Sequence, residues 1–236
     1  MASIGRLRIT WLGHSTFLLG TPGGSRLIFD PWLVDNPQCP EEWKRKVPAV
    51  DVVLVSHGHS DHVGDAARVA RENNAPVVGM VELCRWLQRQ GVHRVEPMNL
   101  GGTITVAGLR VTLVEAQHSS ACLDDESPIY LGAPSGFILT LEDGRVIYFA
   151  GDTDVFEGMR LIRKLYHPEI AFLPIGDRFT MGPRGAALAC ELLGVKQVVP
   201  MHYGTYPALT GTPKELRKYV STGIDVLECR PGETVE

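Results

Sequence analysis

The chain has 236 residues, 44% apolar and 21% charged, with a net charge of −4 when histidine is neutral. This is the composition of a globular protein with a substantial core, and the length suits one large domain or two intimately packed halves. The longest basic run is Lys44-Arg45-Lys46, which argues against a nucleic-acid partner, and no basic amphipathic helix points to a membrane surface.

In chain order, residues 6–11 and 16–19 read as a strand pair interrupted by Gly13-His14-Ser15. The turn Thr21-Pro-Gly-Gly24 leads to a strand over 26–29 that ends at Asp30-Pro31, and a short helix is expected near 41–46. Residues 51–56 form a β-branched run, apolar on both sides and too short for a helix, which reads as a buried strand. A helix over 62–73 follows, with Ser60 or Asp61 as its expected N-cap. Strand 76–79, helix 81–90, a short strand at 94–96 and the hairpin 103–106/109–115 complete a first cycle. The second cycle contains the hairpin 136–141/145–150 around Asp143-Gly144, a helix over 156–166 and a strand over 170–173. It continues with a helix over 184–193 opened by Pro183, strand 197–199, helix 213–219 and a tail strand at 225–227. A β-rich stretch with helices thus occurs twice, with no linker between, so a single domain over 1–236 built from two packed αβ halves is expected.

Five scattered cysteines, none in a C-x-x-C pair, read as free thiols of a reducing compartment. The first eleven residues lack the apolar core of a signal peptide, and no apolar run reaches transmembrane length. The expected location is cytoplasmic. The sequence carries no signal for oligomeric state.

The chemistry is concentrated in His57-Gly58-His59-Ser60-Asp61-His62, directly after the buried strand. Two histidines at i and i+2 on extended backbone can turn their rings to one side. Neutral imidazole and carboxylate are both ligands for zinc-like ions. Gly58 is expected to let the backbone bend between the rings. Asp61 and His62 leave the first helical turn in another direction, which suggests two adjacent ions rather than one. Open α/β sheets bind ligands at such strand-to-helix corners. Further along, His118, Asp152 and His202 each follow a strand. Singly, His118 reads as a hydrogen-bonded loop residue and Asp152 as a helix cap; together they supply the donors a dinuclear centre still lacks.

H-x-H-x-D-H followed by a lone His, a lone Asp and a lone His resembles the signature of the metallo-β-lactamase superfamily, and the likeness spans essentially the whole chain. Trp11-Leu-Gly-His14-Ser-Thr-Phe17, Ile28-Phe-Asp30-Pro31, Gly151-Asp152-Thr153 and the segment 174–183 are similar to the branch of uncharacterised metal-dependent hydrolases that includes ascorbate-6-phosphate lactonase. The resemblance implies an α/β fold, a four-layer αββα sandwich. It implies that His57, His59 and His118 hold one ion, that Asp61, His62 and His202 hold the other, and that Asp152 bridges them. His62 departs from the antibiotic-hydrolysing members, which lack that histidine. No basic arm or extra domain matches the nuclease members, and there is no room for the C-terminal helical region of glyoxalase II.

The function so implied is hydrolysis of a small-molecule lactone, ester or phosphodiester. A hydroxide shared by two divalent ions, zinc or manganese, would attack a carbonyl or phosphoryl centre. Asp61 would orient that hydroxide, and His14, in a Gly-flanked loop, would serve as general acid or oxyanion donor. Asp30 would hold a ligand imidazole from behind. The stretch 119–135, with Asp124-Asp125-Glu126, is long enough to wall the pocket. Asp177, Thr180 and Arg184 lie near a helix start that could receive an anion. Two other readings compete: a non-catalytic metal-dependent binding protein, and a redox di-iron protein, the latter disfavoured because oxygen-reducing relatives replace histidine ligands by carboxylates and attach a flavin domain.

Overall fold

A computed structural model of the chain describes residues 6–123 and 127–236. The first half runs β1 (Arg8–Trp11), β2 (Phe17–Gly20), β3 (Arg26–Phe29), α1 (Glu41–Arg45), β4 (Val52–Leu54), α2 (Ser60–Val63), α3 (Ala66–Asn73), β5 (Val77–Met80), α4 (Val81–Arg89) and β6 (Val95–Met98). The second half opens with β7 (Thr103–Val106), β8 (Leu109–Glu115), β9 (Ala121–Leu123), β10 (Pro128–Tyr130), β11 (Ser135–Thr140) and β12 (Val146–Phe149). Then come α5 (Met159–Tyr166), β13 (Ile170–Pro174), α6 (Pro183–Leu193), β14 (Gln197–Met201), α7 (Pro213–Tyr219), β15 (Asp225–Val226) and β16 (Thr234–Val235).

Two seven-stranded mixed sheets result, in the orders β16-β1-β2-β3-β4-β5-β6 and β15-β14-β13-β12-β11-β8-β7. Each begins as antiparallel hairpins and continues as parallel strands, β3 to β6 in one and β12 to β15 in the other. Because β8 and β12 are both antiparallel to β11, they run in the same direction. Helices α3 and α4 pack on β4, β5 and β6, while α6 and α7 pack on β13 and β15. These are the four layers expected from the sequence.

Phenylalanines from both sheets lock the layers together. Phe29 stacks on Phe149 with centroids 4.3 Å apart, and Phe17 meets Phe172 edge-on at 5.0 Å. All four are fully buried, and such pairs contribute about 0.5–1.5 kcal/mol beyond their buried area. Phe29 immediately precedes Asp30 in the chain, so the cluster sits directly beneath the polar end of the sandwich and holds its two halves in register.

Three local expectations change. The helix expected over 62–73 is two helices, because Asp65 leaves the helical path: its carboxylate accepts the Leu33 and Val34 amides at 2.6 and 3.0 Å. Neither Ser60 nor Asp61 caps it; the capping position of α2 is His59, without a side-chain bond. Gly58 is needed for space rather than for a bend, since a Cβ there would lie 2.6 Å from Leu131 Cδ1. Two elements went unread: the hairpin β9/β10, and β16, which brings the tail back to pair with β1 through Ile9 and Val235. The capping box of α7 behaves as its Thr-Pro-Lys-Glu sequence dictates, with the Thr212 side chain accepting from the Glu215 amide.

Candidate metal centre

The seven residues marked as metal donors converge at one end of the sandwich. His57 and His59 follow β4, Asp61 and His62 lie on α2, and His118, Asp152 and His202 follow β8, β12 and β14. His57 Nε2 and His59 Nδ1 are 3.0 Å apart, and His118 Nε2 is 3.3 Å from the same His59 nitrogen. A tetrahedral ion with nitrogen ligands at about 2.0–2.1 Å has nitrogen–nitrogen edges of about 3.3 Å, so these three atoms match one face of such a site. Asp61, His62 and His202 form a second group together with His14, each offering one donor atom, all within 4.8 Å of one another.

Asp152 stands between the groups. Its Oδ2 is 3.3 Å from His62 Nε2, 3.0 Å from His202 Nε2 and 3.6 Å from His118 Nε2. Yet Asp152 Oδ1 and His62 Nε2 are buried without a hydrogen-bond partner, the close approach of His62 to Asp152 being poorly aligned. Orphaned buried acceptors cost about 1–3 kcal/mol each. A cation among them removes that cost, so the donor set fits a divalent metal.

Hydrogen bonds behind the rings aim the lone pairs. Asp30 Oδ2 accepts from His62 Nδ1 at 2.7 Å and from Ser56 Oγ at 2.6 Å, and its Oδ1 accepts the Ser56 amide at 2.7 Å. Having given its proton to Asp30, Ser56 Oγ accepts from His57 Nδ1 at 3.0 Å. One buried carboxylate therefore places the protons of two imidazoles and leaves both Nε2 atoms free to bind metal. Ser119 Oγ lies 3.3 Å from His59 Nε2, which turns His59 Nδ1 inward.

The electrostatics agree. Burial lowers His57, His59 and His118 below the usual imidazole range, which favours their neutral, metal-binding form. Burial also opposes charge on His62, but Asp152 and Asp30 outweigh it and hold that ring well above its ordinary value. A metal ion would take the place of that proton. Burial works to raise the Asp152 carboxyl, but His202 and His62 prevail and hold it well below the usual carboxylate range. Asp61 follows the same pattern: burial works to raise it, and the hydrogen bond from His14 together with the charges of His62 and His14 prevails.

The remaining sequence candidates divide. Asp30 is in place behind His62. His14 is fully buried, with Nε2 3.1 Å from Asp61 Oδ2. The stretch after His118 contributes a wall: Ser120 Oγ accepts the Gly58 amide at 3.2 Å, and Leu131 packs on Gly58. Asp124, Asp125 and Glu126 lie outside the described residues. Asp177, Thr180 and Arg184 are not among the donor groups, and the Asp177 carboxyl itself lies against Gly182 at the start of α6. A surface cleft of 570 Å³ lined by Leu113, Phe156, Leu161 and Leu165 contains none of the seven. Sequence reasoning missed Ser56, Ser119, Gln38 and Thr205; only the position of Ser56 beside His57 hinted at its part.

Two facing mixed sheets with a histidine–aspartate cluster at the carboxyl ends of their strands define a metallo-β-lactamase-type metal centre. Residues 25–203 match the family described as the beta-lactamase superfamily domain. A protein of Koribacter versatilis described as a UPF0173 metal-dependent hydrolase is 48% identical over 228 residues, covering 97% of each chain. One of Rubrobacter xylanophilus with the same description is 49% identical, covering 98% of this chain and 96% of its own. The structure of Igni18, a metallo hydrolase from Ignicoccus hospitalis, superposes with a TM-score of 0.85 at 36% identity over 97% of both chains. The chain belongs to the metallo-β-lactamase superfamily and, within it, to the UPF0173 metal-dependent hydrolases. No helix among the described residues is long and apolar enough to cross a membrane.

Proposed function

We propose that this metal-dependent hydrolase binds two divalent ions, zinc or manganese, and cleaves a small-molecule lactone, ester or phosphodiester. His57, His59 and His118 would hold one ion, Asp61, His62 and His202 the other, and Asp152 both, within a single catalytic domain. The observation that carries the reading is Asp152 Oδ2, within 3.6 Å of donor nitrogens from both groups. When bound, such ions polarise a carbonyl or phosphoryl oxygen and lower the pKa of water towards about 7. The chain's own part is to exclude bulk water and to manage protons. Asp61, one-quarter exposed where the other donors of its group are buried, faces the opening and can orient an attacking water. His14, behind Asp61, serves as the acid–base group at Nε2. Asp30 and Ser56 keep the His62 and His57 rings aimed.

Elemental analysis of protein prepared without chelator is expected to find close to two divalent ions per chain. Turnover should then appear in a screen of lactones, phosphodiesters, esters and amides with the metal-loaded protein. Trace metal under replete conditions would sink the dinuclear reading. Asp30→Ala should weaken metal retention by about 10–100-fold, as loss of an outer-shell partner typically does. Competition with a chelator measures this, and unchanged retention would mean that the rings hold their aim without the carboxylate.

A further inference from the structure

Three loops meet beside the metal centre and hold an aromatic side chain at its edge. Gln38 ties them together: its Oε1 accepts the His14 amide at 2.9 Å and the Thr205 hydroxyl at 2.8 Å, and its Nε2 donates to the Tyr203 carbonyl at 3.2 Å. The His14 carbonyl accepts the His202 amide at 3.1 Å and Trp11 Nε1 at 2.9 Å. The His14 loop lies close against Gln38, because a Cβ on Gly13, at φ 96°, would stand 2.7 Å from Gln38 Cβ. Residues 203–206 are thereby fixed to the other two loops, and the Tyr206 carbonyl closes the turn by accepting the Leu209 amide at 2.9 Å.

Tyr206 is 42% exposed, yet its ring is not isolated. It lies 6.2 Å from the His14 ring and 6.2 Å from Trp32, which is buried and meets His14 edge-on at 5.2 Å. His14 Nε2 is in turn 3.1 Å from Asp61 Oδ2, so Tyr206 and the partly exposed Asp61 adjoin the same imidazole. Single exposed aromatics are ordinary on a protein surface. One that is braced by three loops, backed by a buried indole and set beside a metal donor has the make-up of a ligand wall. Charge narrows the ligand. The segments that follow β1, β3, β4, β8, β12, β13 and β14 at this end (12–16, 30–38, 57–64, 116–120, 152–158, 175–182 and 202–212) hold seven carboxylates and a single lysine or arginine, Arg178. The Arg178 guanidinium lies over the Phe179 ring, 5.5 Å from its centroid. Metal ions can receive the reacting carbonyl or phosphoryl group, but an anion carried elsewhere on a substrate would meet carboxylates and lack the cationic forks that phosphate and carboxylate recognition uses.

We propose that Tyr206, backed by Trp32, is a specificity-determining residue that receives a flat, apolar group flanking the scissile bond, and that this part of the substrate carries no anion. The proposal rests on the hydrolase reading above and narrows it. The substrates are esters, lactones or diesters with an uncharged aromatic or similarly planar substituent. Sugar phosphates and nucleotide-bearing compounds are excluded, because their remote phosphates find no cationic partner beside Tyr206.

Hydroxamates chelate divalent ions through two oxygens, so their binding reports on the centre without turnover. Calorimetric titration of the zinc-loaded full chain compares acetohydroxamate with phenylacetohydroxamate. In the native protein and in Tyr206→Phe the phenyl compound should bind about 5–10-fold more tightly, the worth of one aromatic contact and the area it covers. In Tyr206→Ala the two should bind within about 2-fold of each other once that contact is gone. The ratio of the two affinities is the readout, because it cancels whatever the substitution does to the ions. A carboxylate at the para position of the ring should remove the gain in the native protein. No phenyl advantage in the native protein, or one that survives in Tyr206→Ala, overturns the assignment of Tyr206 and leaves the metal centre standing. A para-carboxylate that tightens binding overturns the exclusion of anions. Acetohydroxamate that fails to bind the zinc-loaded native chain overturns the metal-centre reading, and this inference with it.

Discussion

Asp152→Ala is expected to empty both metal positions, whereas His202→Ala weakens mainly one. The difference follows from where the two side chains stand. Asp152 Oδ2 lies 3.0–3.6 Å from nitrogens of His62, His202 and His118, which belong to both donor groups. His202 Nε2 approaches Asp152 at 3.0 Å and Asp61 at 4.0 Å, and is grouped with His14, Asp61 and His62 alone. Removing the carboxylate also brings the positive ions together without the negative charge between them. The loss of affinity should therefore exceed the ~10–100-fold typical of outer partners, and turnover should fall with it. Metal content after dialysis against a mild chelator is the readout. An Asp152→Ala protein that keeps full stoichiometry at unchanged affinity would show that the bridge is wrongly assigned.

His14→Ala is expected to keep two ions and a folded chain while turnover falls by ~10²–10⁴-fold, the usual contribution of a general acid–base group. Burial, with His202 adding to it, pushes the His14 imidazole down to about 4, so the ring is neutral near pH 7 and able to accept a proton. In the proposed assignment the seven other donors complete both ions, and Asp61 is one-quarter exposed where His14 is buried. Because His14 also lies within donor distance of Asp61, His62 and His202, metal analysis of the variant is as informative as its rate. Loss of an ion would make His14 a ligand or its support. Unchanged turnover would leave it a structural loop residue. A phosphodiester such as bis-p-nitrophenyl phosphate is a suitable first surrogate.

The features that sequence alone determined are those written in local spacing. The apolar run before His57 could only be a short buried strand, and it is one, Val52–Leu54. The repeated pattern of hairpin, helix and strand carried the two-halved α/β architecture, because side-chain periodicity records which faces are buried. The six residues from His57 to His62 already held the idea of two metal positions, since rings on a strand and side chains on the following helical turn must point differently. His118, Asp152 and His202 were legible only as a set, each at a strand's end; alone, His118 read as a hydrogen-bonded loop residue and Asp152 as a helix cap. The tertiary structure decided what depends on residues distant in sequence. It joined His14 to Thr205 across 191 positions and Asp30 to His62 across 32. It broke the helix after the motif with Asp65, returned the tail as β16 beside β1, and gave Gly58 its reason in the bulk of Leu131. A ligand is chosen by its own chemistry, which sequence displays. Its tautomer and aim are chosen by a partner's lone pair a few ångströms away, and only the folded chain brings that partner there.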